Sequence, residues 1–357
     1  MCENRKKITF VLPGTITVPM GGVKVVNRLA ELLSQKNYAA TLVYPQNFEF
    51  GFIHKIREKI KNYFDKKNNV PQKLYYQPAP EVDAVVVREI SEKYIPEADY
   101  VVAVGWQTAN PVHSLSALKG EKFYFLQSYE AYFSGANKIL ETYKLNMHKI
   151  ALSKWIAREI AKLGQKVLGP IGNSINREEF FIEDNIEKNN DVLMLYHPAK
   201  IKNAKFGIDV LTSLKKQNSN FTATIFSSRQ PVHKIPDWIN LKIRPEVNQL
   251  RRLYNQSKVY FNTSKWEGWG LTPMEAIACG CAVVAVKNNG ITEFLKNNEN
   301  AFIISPKNKL QAVEKINKLL TNNSLREKFI NESHKTLDNY SENEIVSRFE
   351  NCLTQKG

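Results

Sequence analysis

The strongest constraint on the fold is a regular alternation of apolar, strand-like runs with helical patterns, which is found in both halves of the chain. In the first half, helices are predicted at 21–38 and 151–164. The predicted strands of this half are 8–14, 39–45, 83–87, 100–105 and 122–127. Mostly apolar strands of this kind suit a parallel sheet that helices cover on both faces.

The second half repeats the same style of organisation. Its predicted strands are 191–198, 221–228, 258–264 and 281–286. Its predicted helices are about 206–217, 247–257 and 273–280, and another helix opens at 291–298. Two successive series of this kind predict an α/β protein with two Rossmann-like, doubly wound domains that face each other across a cleft.

The length of 357 residues also favours two domains, because it is too great for one ordinary core. Glycines and prolines punctuate residues 170–190, which we interpret as the linker. We therefore predict a first domain at 1–170 and a second at 171–340. A final helix at about 341–357 is expected to pack back on the first domain.

Composition narrows the possible functions. No apolar run reaches the roughly 18 residues that span a bilayer, and the N-terminus lacks a signal-peptide pattern, so we expect a cytoplasmic protein. The four cysteines form neither a CxxC pair nor a His/Cys cluster, so no zinc site is indicated. The net charge of +15 favours an anionic partner: nucleic acid, an anionic membrane surface or a phosphorylated small molecule.

Charged and small residues are concentrated in the segment WEGWGLTPMEAIACGCAVVAV, residues 266–286. Gly268 and Gly270 follow a predicted strand, at the sheet edge where ligands bind in such folds. Thr272 is predicted to be the N-cap of a helix whose first residue is Pro273. The amino end of that helix is suited to a diphosphate, with N–H groups drawn from the non-proline residues of 270–275.

The two glutamates of this segment, Glu267 and Glu275, allow more than one interpretation. Thr272-x-x-Glu275 has the spacing of a capping box, in which the glutamate closes on the threonine backbone. Alternatively, the Glu275 carboxylate accepts hydrogen bonds from ribose hydroxyls. A capping box requires neither Glu267 nor the two glycines, which favours a ligand site.

The longer stretch EGWGLTPMEAIACGCAVVAVKNNGITEF resembles the signature of the retaining glycosyltransferase family 4, whose members have the GT-B fold. The resemblance implies that Glu267 lies over the donor sugar, near the reacting carbon. It also implies that the amides of Leu271 and Thr272 hold the donor diphosphate and that Glu275 binds the ribose.

The family usually places an Arg and a Lys after the first strand of the second domain, about five residues apart. Here the sequence YHPAKIKNAKFG has no Arg but contains Lys200, Lys202 and Lys205. The spacing of Lys200 and Lys205 fits the family, whereas comparison with its polysaccharide rhamnosyltransferase-like branch favours Lys202. We predict that Lys202 and Lys205 stabilise charge during catalysis and that Lys200 binds the donor. The alternative is a solvated basic loop.

Other candidate positions also come from the resemblance. Gly21 and Gly22 open the first helix and match the family's glycine loop, which faces the donor phosphate or the acceptor. Val247 ends a loop that offers backbone groups to the base. Where many members have a His close to the donor sugar, this chain has Gln-x-x-Glu, ending in Glu130. Glu130 is a candidate for acceptor contact or proton transfer, and Trp106 for the wall of the acceptor site.

The expected reaction is transfer of a sugar from a nucleoside-diphosphate sugar to a glycan or lipid-linked acceptor, with retention of configuration. No D-x-D motif occurs, so we expect no metal and no cofactor beyond the donor substrate. The competing interpretations are a nucleotide-sugar epimerase on the same fold and, with no sequence signature in its favour, a nucleic-acid-binding protein. Aromatic and basic residues at 48–69 have the pattern of an interfacial helix and predict peripheral contact with an anionic membrane.

Overall fold

A computed structural model describes residues 5–14, 19–46, 74, 76–132 and 136–355. The chain divides into two compact units. The first unit comprises Met1–Ile171 and Val346–Gly357, and the second comprises Gly172–Ile345. Within the described residues, no helix is long and apolar enough to cross a membrane. The basic segment at 48–69 lies outside the described residues.

The first unit contains a parallel six-stranded sheet in the order β3-β2-β1-β4-β5-β6. The strands are β1 (Lys6–Val11), β2 (Tyr38–Pro45), β3 (Asp83–Val87), β4 (Tyr100–Val104), β5 (Glu121–Leu126) and β6 (His148–Ala151). The helices that accompany them are α1 (Gly21–Ser34), α2 (Trp106–His113), α3 (Ala136–Tyr143) and α4 (Lys154–Ala161). The two central strands, β1 and β4, are almost entirely buried beyond their first residues, as apolar strands in a covered parallel sheet should be.

The second unit contains another parallel six-stranded sheet, in the order β12-β11-β10-β7-β8-β9. The strands are β7 (Asn190–Tyr196), β8 (Ala223–Ser227), β9 (Asn240–Ile243), β10 (Ser257–Asn262), β11 (Ala282–Val286) and β12 (Phe302–Ile304). The helices are α5 (Ala204–Gln217), α6 (Val247–Asn255), α7 (Leu271–Ala278), α8 (Lys309–Thr321) and α9 (Asn323–Asp338).

The last helix, α10 (Glu342–Thr354), packs on the first sheet although the chain reaches it from the second unit. Phe349 is fully buried, and its ring centroid lies 5.9 Å from those of both Phe10 and Phe125. Lys36 forms an ion pair of 2.7 Å with Glu350 on the same helix. The helix therefore completes the hydrophobic core of the first unit.

In each sheet the strand order reverses once, between β1 and β4 in the first unit and between β7 and β10 in the second. At such a reversal the connections on either side leave in opposite directions, so the loops at the carboxyl ends of the two strands border a crevice. In folds of this class, that crevice is where ligands bind. The residues that follow these four strands are therefore the first candidates for function.

Two predicted helices of the first unit have different bounds from those expected. The helix predicted at 21–38 ends at Ser34, and β2 already begins at Tyr38. The helix predicted at 151–164 begins at Lys154, because 148–151 is strand β6. In that strand Lys149 is buried, and its ammonium donates to the carbonyls of Leu145 and Met147. Because the Lys149 ammonium forms these hydrogen bonds, a charged residue can lie in a buried strand. A search for apolar runs therefore misses this short strand.

The helix predicted at 291–298 is wrong, because only a 3₁₀ turn forms there, at Ile291–Glu293. Two backbone N–H groups of this stretch donate hydrogen bonds to side chains. Asn288 accepts from the Ile291 N–H at 3.1 Å, and Asn300 accepts from the Lys296 N–H at 2.7 Å. Asparagine side chains compete with helical hydrogen bonding in this way, so the apolar spacing of the segment did not produce a helix.

Candidate functional site

The loops after β7 and β10, on either side of the reversal in the second sheet, are joined by an ion pair. The Lys202 Nζ lies 2.7 Å from the Glu267 Oε1, and the two side chains are 23% and 13% exposed. Backbone contacts also join the loops, because the Thr263 hydroxyl donates to the Lys202 carbonyl and the Lys265 N–H donates to the Ile201 carbonyl. Lys202 and Glu267, which the resemblance assigns to one donor site, are thus in direct contact.

The backbone around Glu267 is fixed by its neighbours. A methyl group at Gly290 would lie 2.6 Å from the Glu267 carbonyl oxygen and 2.8 Å from that of Trp269, so only a glycine fits against this loop. Trp269 is buried, stacks on Phe294 with ring centroids 5.8 Å apart, and donates from its indole N–H to the Met274 sulfur. This packing fixes the backbone of the loop that carries Glu267.

The start of α7 differs from the prediction. The helix begins at Leu271, and its N-cap is Gly270 at a φ of 114°. Thr272 is therefore not the N-cap, and its side chain forms a hydrogen bond with the buried Tyr260 hydroxyl instead. Pro273 is the third helical residue, where its missing N–H costs nothing. The amides left without intrahelical partners are those of Gly270, Leu271 and Thr272, whereas those at 274 and 275 lie inside the helix.

Glu275 is buried, with 5% of its surface exposed, and its Oε2 accepts a hydrogen bond of 3.1 Å from the Tyr254 hydroxyl. Since Thr272 is not the N-cap, the capping-box interpretation of Glu275 is wrong. The capping box occurs elsewhere, at the start of α6, where Glu246 and Gln249 exchange hydrogen bonds with the backbone. Burial and the neighbouring Glu275 carboxylate raise the pKa of Tyr254, which keeps its hydroxyl protonated as a donor.

The remaining predicted residues of the second unit lie on its surface or in its loops. Lys200 and Lys205 are exposed, Lys200 in a 3₁₀ turn and Lys205 in the first turn of α5. Val247 is the first residue of α6 and is 43% exposed. Gly268 is half-buried beside Glu267. Among the described residues, only Lys202 of the three predicted lysines forms an ion pair with Glu267.

Sequence reasoning missed His197, which directly follows β7. Its Nδ1 accepts the Ala199 N–H at 3.1 Å, so the neutral ring carries its proton on Nε2. Burial lowers the pKa of His197, and the positive charges of Lys202 and Arg229 lower it further. The signal available in the sequence was its position at the carboxyl end of the strand, the same position that drew attention to the lysines.

The first unit places its own polar residues after β1, β4 and β5. Gly21 and Gly22 begin α1. Glu130, in the turn after β5, accepts the Trp106 N–H at 2.9 Å, at the amino end of α2. Burial raises the pKa of Glu130 to about 7, and the hydrogen bond from Trp106 opposes the rise. The Lys138 ammonium lies 5.6 Å from the centre of the Trp106 ring. Within the described part of the chain, no three His, Cys, Asp or Glu residues are grouped to hold a metal ion.

Known glycosyltransferases are similar to this chain in sequence and in fold. Residues 176–336 match the family model "Glycosyl transferases group 1". The capsular polysaccharide biosynthesis glycosyltransferase CapM of Staphylococcus aureus is 25% identical over an alignment of 253 residues, and the match covers 65% of this chain and 65% of that protein. The match thus spans less than two thirds of that relative. These comparisons give no support to an epimerase.

Solved structures match over almost the whole chain. A TarM structure from S. aureus, in complex with Fondaparinux, alpha-GlcNAc-glycerol and UDP, has a TM-score of 0.75 at 13% identity, covering 98% of this chain and 100% of that one. The structure of Anabaena HepE in complex with UDP and glucose has a TM-score of 0.74 at 15% identity, with the same coverage. The chain therefore has the GT-B fold, and its residues 176–336 are similar to the glycosyltransferase group 1 family.

Proposed function

We propose that the protein transfers a sugar from a nucleoside-diphosphate sugar to a hydroxyl group of a glycan or lipid-linked acceptor, with retention of configuration and without a metal ion. The observation that supports this proposal most directly is the Lys202–Glu267 pair at the strand reversal of the second sheet, beside the amino end of α7. The loops after β7 and β10 and the start of α7 then provide a cation, a carboxylate and backbone amides without intrahelical partners.

The positive groups suit a diphosphate. Lys202 is already held near the carboxyl end of β7, and the amides of Leu271 and Thr272 point out of the start of α7. As the bond between sugar and phosphate breaks, the leaving nucleoside diphosphate gains negative charge, and fixed cations and amides stabilise that charge. Lys200 and Lys205, which are exposed, are proposed to add to the positive potential around the phosphates.

The carboxylates suit the remaining parts of the donor. Glu267 is proposed to hold the sugar and to stabilise positive charge at its anomeric carbon. Glu275 has one oxygen fixed by the Tyr254 hydroxyl, and since a carboxylate accepts several hydrogen bonds, it is suited to ribose hydroxyls. Val247, Gly268 and Gly270 are proposed donor contacts through their backbone, and so are Gly21 and Gly22.

Glu130 is proposed to contact the acceptor. Its pKa of about 7 is suited to proton exchange near neutral pH, because a catalytic acid or base works best when its pKa lies close to the working pH. The donor phosphate is the alternative base for the acceptor proton. Trp106 lies beside Glu130 through its N–H and belongs to the same proposed acceptor site.

The decisive experiment is a thermal-shift screen of the full chain with UDP, GDP, dTDP and ADP, followed by the sugar nucleotides of whichever base stabilises it. UDP is the first choice, because both TarM and HepE were crystallised with it. Product analysis by NMR then gives the anomeric configuration, and the assay is repeated with EDTA. An inverted product or loss of activity with EDTA contradicts those parts of the proposal. Absence of any nucleotide response contradicts the function itself.

Peripheral membrane contact is a further part of the proposal, and it depends on charge. The chain has 50 Lys and Arg against 35 Asp and Glu, and a lipid-linked acceptor would lie at a membrane surface. We expect stronger sedimentation with vesicles that contain anionic lipids than with neutral vesicles. Equal binding to both kinds of vesicle, or none at physiological salt, contradicts this expectation.

A further inference from the structure

Asn288, in the loop after β11, has a buried side chain whose two polar atoms both bond to the backbone. Its Nδ2 donates to the Ser264 carbonyl at 2.9 Å and to the Val286 carbonyl at 3.2 Å. Its Oδ1 accepts from the Ile291 N–H at 3.1 Å, and only 6% of the residue is exposed. A buried amide bonded in this way holds the backbone groups around it, because breaking a bond leaves a buried polar group unpaired.

The hydrogen bond to Ser264 crosses from the loop after β11 to the loop after β10, which carries Glu267. Ser264 is itself buried, and its N–H donates to the Asn262 Oδ1 at 3.2 Å. Both backbone groups of Ser264 are therefore bonded to asparagine side chains. Asn262 is the last residue of β10, only two positions away, so Asn288 is the one of the two that belongs to a neighbouring loop.

The residues on either side of this point bond in the other direction. The Thr263 hydroxyl donates to the Lys202 carbonyl at 2.7 Å, and the Lys265 N–H donates to the Ile201 carbonyl at 2.8 Å. Both carbonyls belong to the loop after β7. The segment 263–265 is thus bonded alternately to the loops after β7 and β11, the two strands that flank β10 in the sheet. It is held from both sides.

This segment determines where the next loop residues lie. Glu267 follows it by two positions, and a reacting group that is displaced by about 1 Å can lose a hundredfold in rate. The groups proposed to face the diphosphate have separate supports. Lys202 is bonded from the β7 side, and the start of α7 is packed through the buried Trp269 on Phe294. Loss of the Asn288 contact should therefore affect the position of Glu267 more than nucleotide binding.

We propose that Asn288 is a positioning residue for the transfer reaction. By holding the Ser264 carbonyl, it sets where the Glu267 carboxylate lies against the sugar. The inference rests on the proposed glycosyl transfer, and it adds to that function a side chain that acts only through Glu267. Its effect is on the rate of transfer, not on the affinity for the nucleotide.

The test variant is Asn288→Asp in the full chain. Aspartate has the size of asparagine and keeps an oxygen that accepts the Ile291 N–H. An ionised carboxylate cannot donate, so the hydrogen bond to the Ser264 carbonyl is lost. If this variant does not fold, the uncharged Asn288→Ala replaces it, with the control changed in the same way.

Asn300 provides a matched control in the same unit, with 3% of its surface exposed. Its Oδ1 accepts the Lys296 N–H at 2.7 Å, and its Nδ2 donates to the Phe294 carbonyl at 3.1 Å. The bonding is of the same kind as that of Asn288. Asn300 precedes β12, however, and therefore lies at the amino edge of the sheet, opposite the proposed donor site. Asn300→Asp thus reproduces the structural damage without the contact to the Glu267 loop.

Kinetics separate the two variants. Both should lower the melting temperature by a few degrees, because each leaves a buried backbone carbonyl without its donor. At a temperature at which circular dichroism shows both to be folded, Asn288→Asp should lower kcat by about tenfold or more. Its Kd for UDP and its KM for the sugar nucleotide should stay within about twofold of the wild-type values. Asn300→Asp should keep all three constants.

Hydrogen–deuterium exchange provides a readout that needs no substrate. In the chain without ligand, peptides that cover residues 264–270 should exchange faster in Asn288→Asp than in the wild-type chain, because one side of the segment has been released. Asn300→Asp should leave the exchange of these peptides unchanged.

The outcomes distinguish failure of the inference from failure of the function. If the wild-type chain transfers sugar and the two Asp variants have equal kcat values, Asn288 has no positioning role, although the function stands. If peptides 264–270 exchange at the wild-type rate in Asn288→Asp, the amide does not hold the loop and the inference is wrong. If the wild-type chain binds no sugar nucleotide and transfers nothing, the proposed function fails and the inference fails with it.

Discussion

The ammonium nitrogen of Lys202 lies 2.7 Å from a carboxylate oxygen of Glu267, and the pair joins the loops after β7 and β10 across the strand reversal of the second sheet. Both side chains are largely withdrawn from water. A diphosphate that binds Lys202 must therefore compete with Glu267 for it. Because of this competition, substitutions of the two partners should change the affinity for a diphosphate in opposite directions.

Glu267→Gln should bind UDP more tightly than the wild-type chain, by roughly three- to tenfold, because Lys202 no longer pairs with a carboxylate. Lys202→Met should bind UDP more weakly, by about tenfold or more, because it lacks the cation. Transfer should fall at least about a hundredfold in both variants, since a charged group at the reacting centre is lost. Calorimetry with UDP and a product assay measure the two effects separately.

The matched control is a second ion pair of the same unit, between Lys258 and Asp191 at 2.8 Å, which holds the amino ends of β10 and β7. Lys258→Met removes a half-buried lysine in the same way but at the opposite edge of the sheet. It should leave UDP affinity unchanged. Equal affinities in the wild-type chain and in both variants of the Lys202–Glu267 pair would contradict the phosphate role of Lys202.

The hydrogen bond from the Tyr254 hydroxyl to Glu275 allows the structural role of Glu275 to be distinguished from a role in ligand binding. Tyr254→Phe leaves the carboxylate in place and should lower the free energy of unfolding by about 1–2 kcal/mol. Glu275→Ala should in addition weaken UDP binding, because it removes the proposed ribose acceptor. If Glu275→Ala lowers only the melting temperature, with UDP affinity equal to that of Tyr254→Phe, the residue is structural.

The alternation of strands and helices was enough to predict two doubly wound sheets, because apolar runs and helical spacing are local properties. The start of α7 was not predictable to the residue. A threonine before a proline is a strong N-cap signal, but here Tyr260 forms a hydrogen bond with the Thr272 side chain and Gly270 takes the cap position. That choice depends on a strand elsewhere in the sequence.

The site shows the same division. Motif and position made Glu267 and Lys202 candidates, but nothing local showed that they pair with each other. The burial of Glu130 and its hydrogen bond to the Trp106 N–H depend on how β4 and β5 are placed side by side.

The raised pKa of Glu130 predicts a specific dependence of stability on pH. The folded chain holds this proton up to a pKa of about 7, whereas an ordinary glutamate loses it near 4.5. The contribution to stability is therefore complete below pH 4.5 and is lost as the pH rises to about 7. Glu130→Gln should remove this slope, so its stability relative to the wild-type chain should rise over that window by up to about 3 kcal/mol.

Urea unfolding at several pH values between 4.5 and 8 measures this difference. Glu92→Gln is a contrasting control, because hydrogen bonds from Ser116 lower the pKa of Glu92 and place its effect below this window. If the carboxylate takes the acceptor proton, transfer should also rise with pH around 7 in the wild-type chain and lose this dependence in Glu130→Gln. Parallel curves for wild-type and Glu130→Gln between pH 4.5 and 8 would show that Glu130 ionises normally.

Gly290 offers a way to move Glu267 without changing its chemistry. An added methyl group would lie 2.6 Å from the Glu267 carbonyl oxygen and 2.8 Å from the Glu267 Cβ, so the loop must shift. Gly290→Ala should therefore cost about 1–3 kcal/mol of stability through overpacking. Because reacting groups tolerate little displacement, transfer should fall by about a hundredfold.

The exposed neighbour provides the control, since Asn289→Ala leaves the contact intact and should keep near wild-type transfer. Were Gly290→Ala to retain full transfer despite its lower stability, the position of the Glu267 backbone would not matter for the reaction, and the proposed contact of Glu267 with the donor sugar would lose its support.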